Sequence, residues 1–503
     1  MKNQDTRILR KRKQNLRKRL QRRQWPAQSR PMFGARNIQY EMAERVRAID
    51  CGAIGAFHHL ARNTGLIRAI DTKLHLLKRH LPYHESDHVL NIAYNTLAGG
   101  TCLDDIELRR NDETYMDALA ADRIPDPTTA GDFTRRFAEQ DVLSLMEAIN
   151  GIRPKIWKKR LRGSEKKEAI LDVDGTLAPT TGECKEGMGL AYNGVWGYHA
   201  LLISLANTLE PLYLVNRSGN RPSHDGAAPW LDRAVERVRG SFERVCLRGD
   251  TDFALTAHFD RWTEDGVRFA FGKDATKNLV EIAEGLDKRH WSVLERREKR
   301  ARSGNRRRRP LNVKERIVVE KQYKNITLEK EHVAAFSYQP SKCKRPYRVI
   351  VLRKKLLVER GQILLCDDVR YFFYITNIEE MSPAEVVLFS NERSNQENLI
   401  EQLKNGLNAL RMPVGDLVSN WAYMVMSSLA WTLKAWFALL VRDKQRRDEL
   451  LKMEFRRFLN TLVRLPTQIV RGGRRIVFRI LGYNDWTRTF LETYDTIGQL
   501  RLA

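Results

Sequence analysis

Two aspartates spaced two residues apart, Asp172 and Asp174, sit in the run Ala169-Ile-Leu-Asp-Val-Asp-Gly-Thr-Leu177. The apolar residues around them predict a buried strand, on which positions i and i+2 share a face. Two carboxylates on one buried face are costly unless positive charge meets them. A divalent metal held by oxygen ligands is the usual partner. Lys and Arg outnumber Asp and Glu by 88 to 62, for a formal net charge of +26. An acid pair in so basic a chain points to metal-dependent phosphoryl chemistry on nucleic acid.

A third acid, Asp250, ends the run Val245-Cys-Leu-Arg-Gly-Asp250. Ligand sites in α/β sheets lie outside the carboxyl ends of strands, so Asp174 and Asp250 meet there if their strands are neighbours. Gly249 before it allows close backbone approach. A fourth set lies after residue 384. On a helix, Ser390, Arg393, Glu397 and Lys404 fall within a stripe of roughly 60°, with Leu399, Leu403, Leu407 and Leu410 on the opposite, inward side. Glu401 lies near the same stripe as an alternative to Glu397. Taken alone, the Arg393–Glu397 spacing is equally a solvated i,i+4 pair worth a few tenths of a kcal/mol.

These residues need a scaffold, and 503 residues with 42% hydrophobic content can bury a sizeable core. The six cysteines, at 51, 102, 184, 246, 343 and 366, are scattered without the spacing of a zinc site. They fit a reducing cytosol. The N-terminus has no apolar h-region, which argues against a secretory signal. The most apolar stretch, Asp416 to Val441, is interrupted by Asn420, Ser427, Ser428 and Lys434, so it reads as a buried core helix rather than a membrane span.

Six segments follow from the pattern. Residues 1–36 form a basic arm and 37–160 a helical region. In the latter, Thr128 or Thr129 is expected to cap a helix bearing Arg135 and Arg136, which could lie against DNA or belong to a plain helical bundle. Residues 161–288 carry strands at Ala169–Asp174, His199–Ala206, Leu212–Val215, Val245–Arg248 and Val267–Phe271, with helices near 226–239 and Phe253–Trp262. Residues 289–365 read as a β-rich basic insertion, with Arg306 and Arg307 in its basic run and strands at 316–322, 333–338 and 347–358. Residues 366–445 return to the core pattern with a strand at 371–376 and long helices near 384–411 and 416–441, and 446–503 form a basic C-terminal region.

Asp174 in Asp-Gly-Thr, Asp250 in Arg-Gly-Asp-Thr-Asp-Phe-Ala, and Glu397 in Arg-x3-Glu-x6-Lys together resemble the acids of bacterial insertion-sequence DDE transposases over roughly residues 125–440. Arg393, Glu397 and Lys404 match that family's Tyr-x2-Arg-x3-Glu-x6-Lys signature, while Ser390 departs from its tyrosine. The resemblance implies an α/β fold with a ribonuclease H-like core, interrupted by the insertion and preceded by a helical DNA-binding region. It also implies that Asp174, Asp250 and Glu397 hold two Mg2+ ions, with Mn2+ as the alternative, and perform catalysis. Arg393 and Lys404 would contact phosphates, joined in DNA binding by Arg135, Arg136, Arg306 and Arg307. Asp172 would stand behind the metal ligands or substitute for one of them. The implied partners are double-stranded DNA, as terminal inverted repeats and target, and a second copy of the chain. The implied setting is the bacterial cytoplasm, at the nucleoid. Arg217-Ser-Gly-Asn220 resembles a turn near that active site; Trp291 is expected to be a packed core residue, or, if the family's strand hairpin mechanism applies, the ring on which an extruded base stacks.

Two other readings compete. Leu-Asp172-Val-Asp174-Gly-Thr-Leu also resembles the first motif of haloacid dehalogenase-type phosphatases, with Asp172 as nucleophile and Asp174 as acid/base. Position 254 is Ala where that family's later motif closes on an acid. The other is a basic nucleic-acid-binding protein without catalysis, whose acids are structural.

Overall fold

A computed structural model describes residues 3–20, 38–40, 44, 46–80, 82–180, 182, 184–191, 194–296, 323–360, 364–472 and 475–500. Arg306 and Arg307, the expected strand at 316–322 and the basic arm from residue 21 onward lie outside the described residues.

One large mixed sheet organises the molecule. Its main strands are β1 (Glu168–Pro179), β2 (Trp196–Leu205), β3 (Glu210–Val215), β4 (Arg244–Gly249), β5 (Val267–Lys273), β6 (Tyr323–Tyr338), β7 (Tyr347–Arg360) and β8 (Leu364–Thr376). Their spatial order is β3-β2-β1-β4-β5-β8-β7-β6. β1 runs antiparallel to β2 but parallel to β4, and β4 parallel to β5. The connection Asn207–Pro211 makes β2 and β3 a hairpin, as the turn residues predict. A parallel neighbour requires a crossover. The helix Ala227–Arg239 supplies one, burying Ala227, Leu231, Ala234, Val235 and Val238 at helical spacing. The second crossover differs from the expected helix over Phe253–Trp262: two single 3-10 turns precede a short helix, Phe259–Glu264.

The expected insertion strands are longer than their sequence signal and continue the same sheet. β8 pairs with β5 on one side and β7 on the other, and β7 pairs with β6. The stretch expected as one helix over 384–411 is broken. Pro383–Asn391, capped by Ser382, and Ser394–Glu401 are separate helices, followed by a wider turn, Gln402–Gly406. Two anchors explain the break. Val386 and Val387 pack with Val333, Ile350 and Leu352 of the hairpin strands. Gln396 is buried and donates toward Leu202 O at 3.3 Å, on β2. These anchors lie on different strands of the sheet, and the two helices reach one each. Leu399, Leu403, Leu407 and Leu410 are buried, as their spacing predicts.

The helix Leu417–Leu440 is long and apolar enough to cross a membrane, but it is buried within the protein. It packs against helices Glu85–Leu97 and Glu139–Arg160 and against β3. Its buried Lys434 donates to the carbonyls of Leu451, at 3.0 Å, and Met453, with its ammonium over the Trp431 ring. Glu210 ties three elements together: Arg153, Trp157, Thr208 and Trp436 all donate to its carboxylate. In the helical region the cap of Pro127–Thr134 is Asp126, not Thr128 or Thr129; its carboxylate accepts Thr129 N at 2.9 Å. The proline at the first helical position moves the start back by a residue or two. Arg135 and Arg136 are exposed, and Arg135 pairs with Asp132 at 2.6 Å.

Candidate active site

Register decides the fate of the first acid. Asp172 on β1 stands opposite Arg248 on β4. The guanidinium reaches both carboxylate oxygens, Nε at 2.6 Å and Nη2 at 2.9 Å, and both side chains are buried. Such a bidentate contact is the geometry of an ionised pair. Arg248 also donates to Phe389 O at 2.6 Å and stacks on the Phe389 ring. Asp172 therefore fastens β1, β4 and the helix Pro383–Asn391 to one another. Its oxygens are taken, so it cannot serve as the nucleophile that the phosphatase reading requires.

Asp174, one strand pitch further, faces the helix Ser394–Glu401. There Arg393 lies among three acids. Its Nη1 is 2.9 Å from Asp174 Oδ2 and 3.8 Å from Asp250 Oδ2, and its Nη2 is 3.7 Å from Glu397 Oε1. One guanidinium thus gathers carboxylates from two strand ends and a helix, separated by up to 223 positions in the chain in the sense that residues 174 and 397 bound the set. Burial pushes the Asp174 carboxyl up to about 6; Arg393 opposes this and Asp250 adds to it. Burial also raises Asp250, against Arg393 and with Asp252 and Asp274. Glu397 is the open member, its side chain 65% exposed.

Lys404 lies in the wide turn, half-buried. Burial lowers its pKa, while Glu401 and Asp174 act in the other direction. Glu401 is exposed and accepts from Asn405 at 2.7 Å. Ser390, at the position of the signature tyrosine, is buried, and its hydroxyl has no hydrogen-bond partner.

Asp250, Glu397 and Arg393 line a cleft of about 390 Å³, whose walls also include Lys273, Asp274, Phe372 and Tyr374; Asp174 lies behind Arg393. Sequence reasoning missed Asp274, although it follows β5 at the same carboxyl edge that singled out Asp250. Two glycines let the backbones close here. A Cβ on Gly272 would lie 2.9 Å from Thr251 N, and one on Gly249 would lie 2.9 Å from Phe253 Cβ.

Gly175 has a different purpose from a turn: a Cβ there would lie 2.5 Å from His199 Cε1. His199 is buried, and burial, Arg217 and Lys404 push its pKa down to about 4, so it is neutral. Arg217 Nη2 is 3.0 Å from His199 Nδ1, and a guanidinium only donates, which leaves the ring proton on Nε2. Arg217 also donates to the carbonyls of His199, Ser223 and Asp225. This turn arginine braces the loop behind Asp174 through four contacts within the protein. Trp291 is half-buried, with the Arg353 guanidinium 4.1 Å above its ring.

The donor set suits a hard divalent cation. All three side chains offer carboxylate oxygen, two have pKa values raised by burial, and one guanidinium serves three acids.

No curated protein matches the chain by sequence. Among solved structures, it is similar to a piggyBac transposase synaptic complex with hairpin DNA, determined by cryo-EM, at 10% identity and a TM-score of 0.37, over 81% of this chain and 80% of that one. The profile of the family described as Transposase DDE domain group 1 matches residues 48–502. That match spans nearly the whole sequence, and the chain belongs to the DDE transposase family, group 1.

Proposed function

We propose that this DDE transposase is the cut-and-paste enzyme of a bacterial insertion sequence. It cleaves phosphodiester bonds at the element's terminal inverted repeats and joins the freed 3′ ends to target DNA. The observation that carries this reading is the meeting of Asp174, Asp250 and Glu397 around one guanidinium. The strand order β3-β2-β1-β4-β5, parallel only on the β4 side of β1, supports a ribonuclease H-like core. The hairpin strands between Asp250 and Glu397 are its insertion. Arg393, Glu397 and Lys404 support membership of the Tyr-Arg-Glu-Lys subgroup, with Ser390 as the variant position.

Two Mg2+ ions, with Mn2+ as the alternative, would be held by Asp174, Asp250 and Glu397 and would supply activation of the attacking hydroxyl and stabilisation of the leaving 3′ oxygen. The chain's own residues prepare that site. Arg393 balances the acids until DNA enters, then turns to the scissile strand's phosphate, with Lys404 beside it. Asp172 and Arg248 hold β1 and β4 in register, so that Asp174 and Asp250 both come to Arg393. Neutral His199, braced by Arg217, fills the space behind Gly175. Arg135 and Arg136 on the helical region, with Arg306 and Arg307 of the insertion, bind flanking duplex. The working form is a homodimer that pairs two element ends, at the nucleoid of a bacterial cytoplasm.

Asp250→Asn tests the reading. Binding to an element end in a gel-shift assay should survive while nicking and strand transfer disappear. Retention of metal-dependent cleavage would refute the assignment; a wild type that binds DNA but never cuts it under Mg2+ or Mn2+ would favour the non-enzymatic reading.

A further inference from the structure

A second cluster of metal-type ligands lies in the helical region, and none of its residues lines the acid cleft. The segment His80-Leu-Pro-Tyr-His84-Glu85 leads from the helix Leu66–Lys73 into the helix Glu85–Leu97. Glu85 is buried at the base of the cluster. Its Oε1 accepts the backbone N–H groups of Leu76 and Leu77, each at 3.0 Å, and its Oε2 lies 3.0 Å from His80 Nε2. The His80 and His84 rings stack with centroids 4.2 Å apart and planes 18° apart. Among the described residues, His80, His84 and Glu85 are the one trio of His, Cys, Asp or Glu whose ligand atoms all lie within 4.8 Å of one another.

Three features make this more than a surface ion pair. First, the carboxylate is fixed. Two backbone N–H groups hold Oε1 and leave Oε2 turned toward the His80 ring. Second, its support is rigid. Ser86, the next residue, donates from its N–H and hydroxyl to Asp71 of the preceding helix at 2.9 and 3.0 Å. Third, both imidazoles reach the solvent while Glu85 does not, so an ion has an approach path and a dry anchor. Two parallel imidazoles this close repel when both are protonated. A metal ion instead requires both rings neutral.

We propose that His80 Nε2, a ring nitrogen of His84 and Glu85 Oε2 form a zinc site that clips the 74–84 connection onto the helix Glu85–Leu97. Two nitrogens and one carboxylate oxygen favour Zn2+ over Mg2+, which prefers an all-oxygen shell. Three protein ligands leave a fourth position for water. Zinc would take the place of the His80 Nε2–Glu85 Oε2 contact, drawing on the same two atoms.

The test uses the full-length protein, stripped with chelator and titrated with ZnCl2 against a chromophoric competitor, then with Co2+ for its visible spectrum. Wild type should take up one equivalent of Zn2+, gain thermal stability from it, and give the absorption of a four- or five-coordinate cobalt site. His84→Ala, at an exposed position, should weaken Zn2+ by more than about tenfold and abolish that absorption. His80→Ala should do the same. Glu397→Gln should leave both signals in place, which separates this site from the three acids. The proposal is overturned if wild type shows no zinc-dependent change, or if His80→Ala and His84→Ala bind Zn2+ as wild type does; His80 and Glu85 would then be an ion pair only.

Discussion

Replacing Arg393 by Gln should tighten divalent metal binding while weakening DNA cleavage. In the structure the Arg393 guanidinium donates to Asp174 at 2.9 Å, and a cation entering between the acids must displace it. A hydrogen bond between charged groups contributes about 1.5–3 kcal/mol net. The contacts to Asp250 at 3.8 Å and Glu397 at 3.7 Å exceed hydrogen-bonding distance, and Glu397 is largely exposed, so they add little. Losing that competition should improve Mn2+ affinity by roughly 10- to 150-fold, which is the same 1.5–3 kcal/mol expressed as an equilibrium ratio. The gain belongs to pH values well above 6, where Asp174 is ionised in the wild type. Without its counter-ion Asp174 holds its proton more tightly, so the gain shrinks as pH falls. Titration followed by Mn2+ electron paramagnetic resonance at pH 8 and at pH 6, without DNA, measures both halves. Unchanged or weaker Mn2+ binding by Arg393→Gln at pH 8 would refute the idea that the guanidinium and the metal compete for the same oxygens. Cleavage by this variant should nevertheless fall, because the phosphate contact is lost.

Other outcomes follow from the same geometry. The folded-state pKa of Asp174 lies above its ordinary value of 3.8, so the folded chain binds a proton that the unfolded chain releases; metal-free stability should fall between pH 4 and above 6 by about 3 kcal/mol from this group. Chemical denaturation should show that slope, and Asp174→Asn should flatten it. Asp172→Ala leaves Arg248 buried without its partner and should cost about 3–5 kcal/mol, whereas Asp250→Asn should leave the denaturation midpoint nearly unchanged. Gly175→Ala forces the His199 ring to move and should cost about 1–3 kcal/mol, with a matching drop in melting temperature; an unchanged melting temperature would show that the ring has room to yield. DNA affinity should fall steeply between 50 and 200 mM salt, as counterion release by many Lys and Arg contacts requires. A flat salt response would remove the basic surface from DNA binding.

The residue pattern by itself determined the ends of the chemistry. Apolar runs closing on Asp174 and Asp250 predict strands with acids at a shared edge, and leucines at helical spacing predict which side of the 394–410 segment turns inward. These are local signals, since periodicity and turn chemistry act over a few residues, and the strands β1 to β5 and the helix Leu417–Leu440 follow from them. Tertiary structure alone decided the rest. Asp172 and Asp174 look equivalent in sequence; only the parallel register of β1 with β4 brings Arg248, 76 positions away, onto Asp172 and leaves Asp174 to Arg393. The break between Asn391 and Ser394 goes with anchors on two different parts of the sheet, the hairpin strands and β2. The same break turns Arg393, which spacing alone pairs with Glu397, toward Asp174 as well. The long strands β6 to β8 join the core sheet because β8 finds the free edge of β5, a pairing that no local pattern encodes. An ion pair or a strand pairing is a property of two chain segments at once, and its energy is decided by register, burial and the company of other charges.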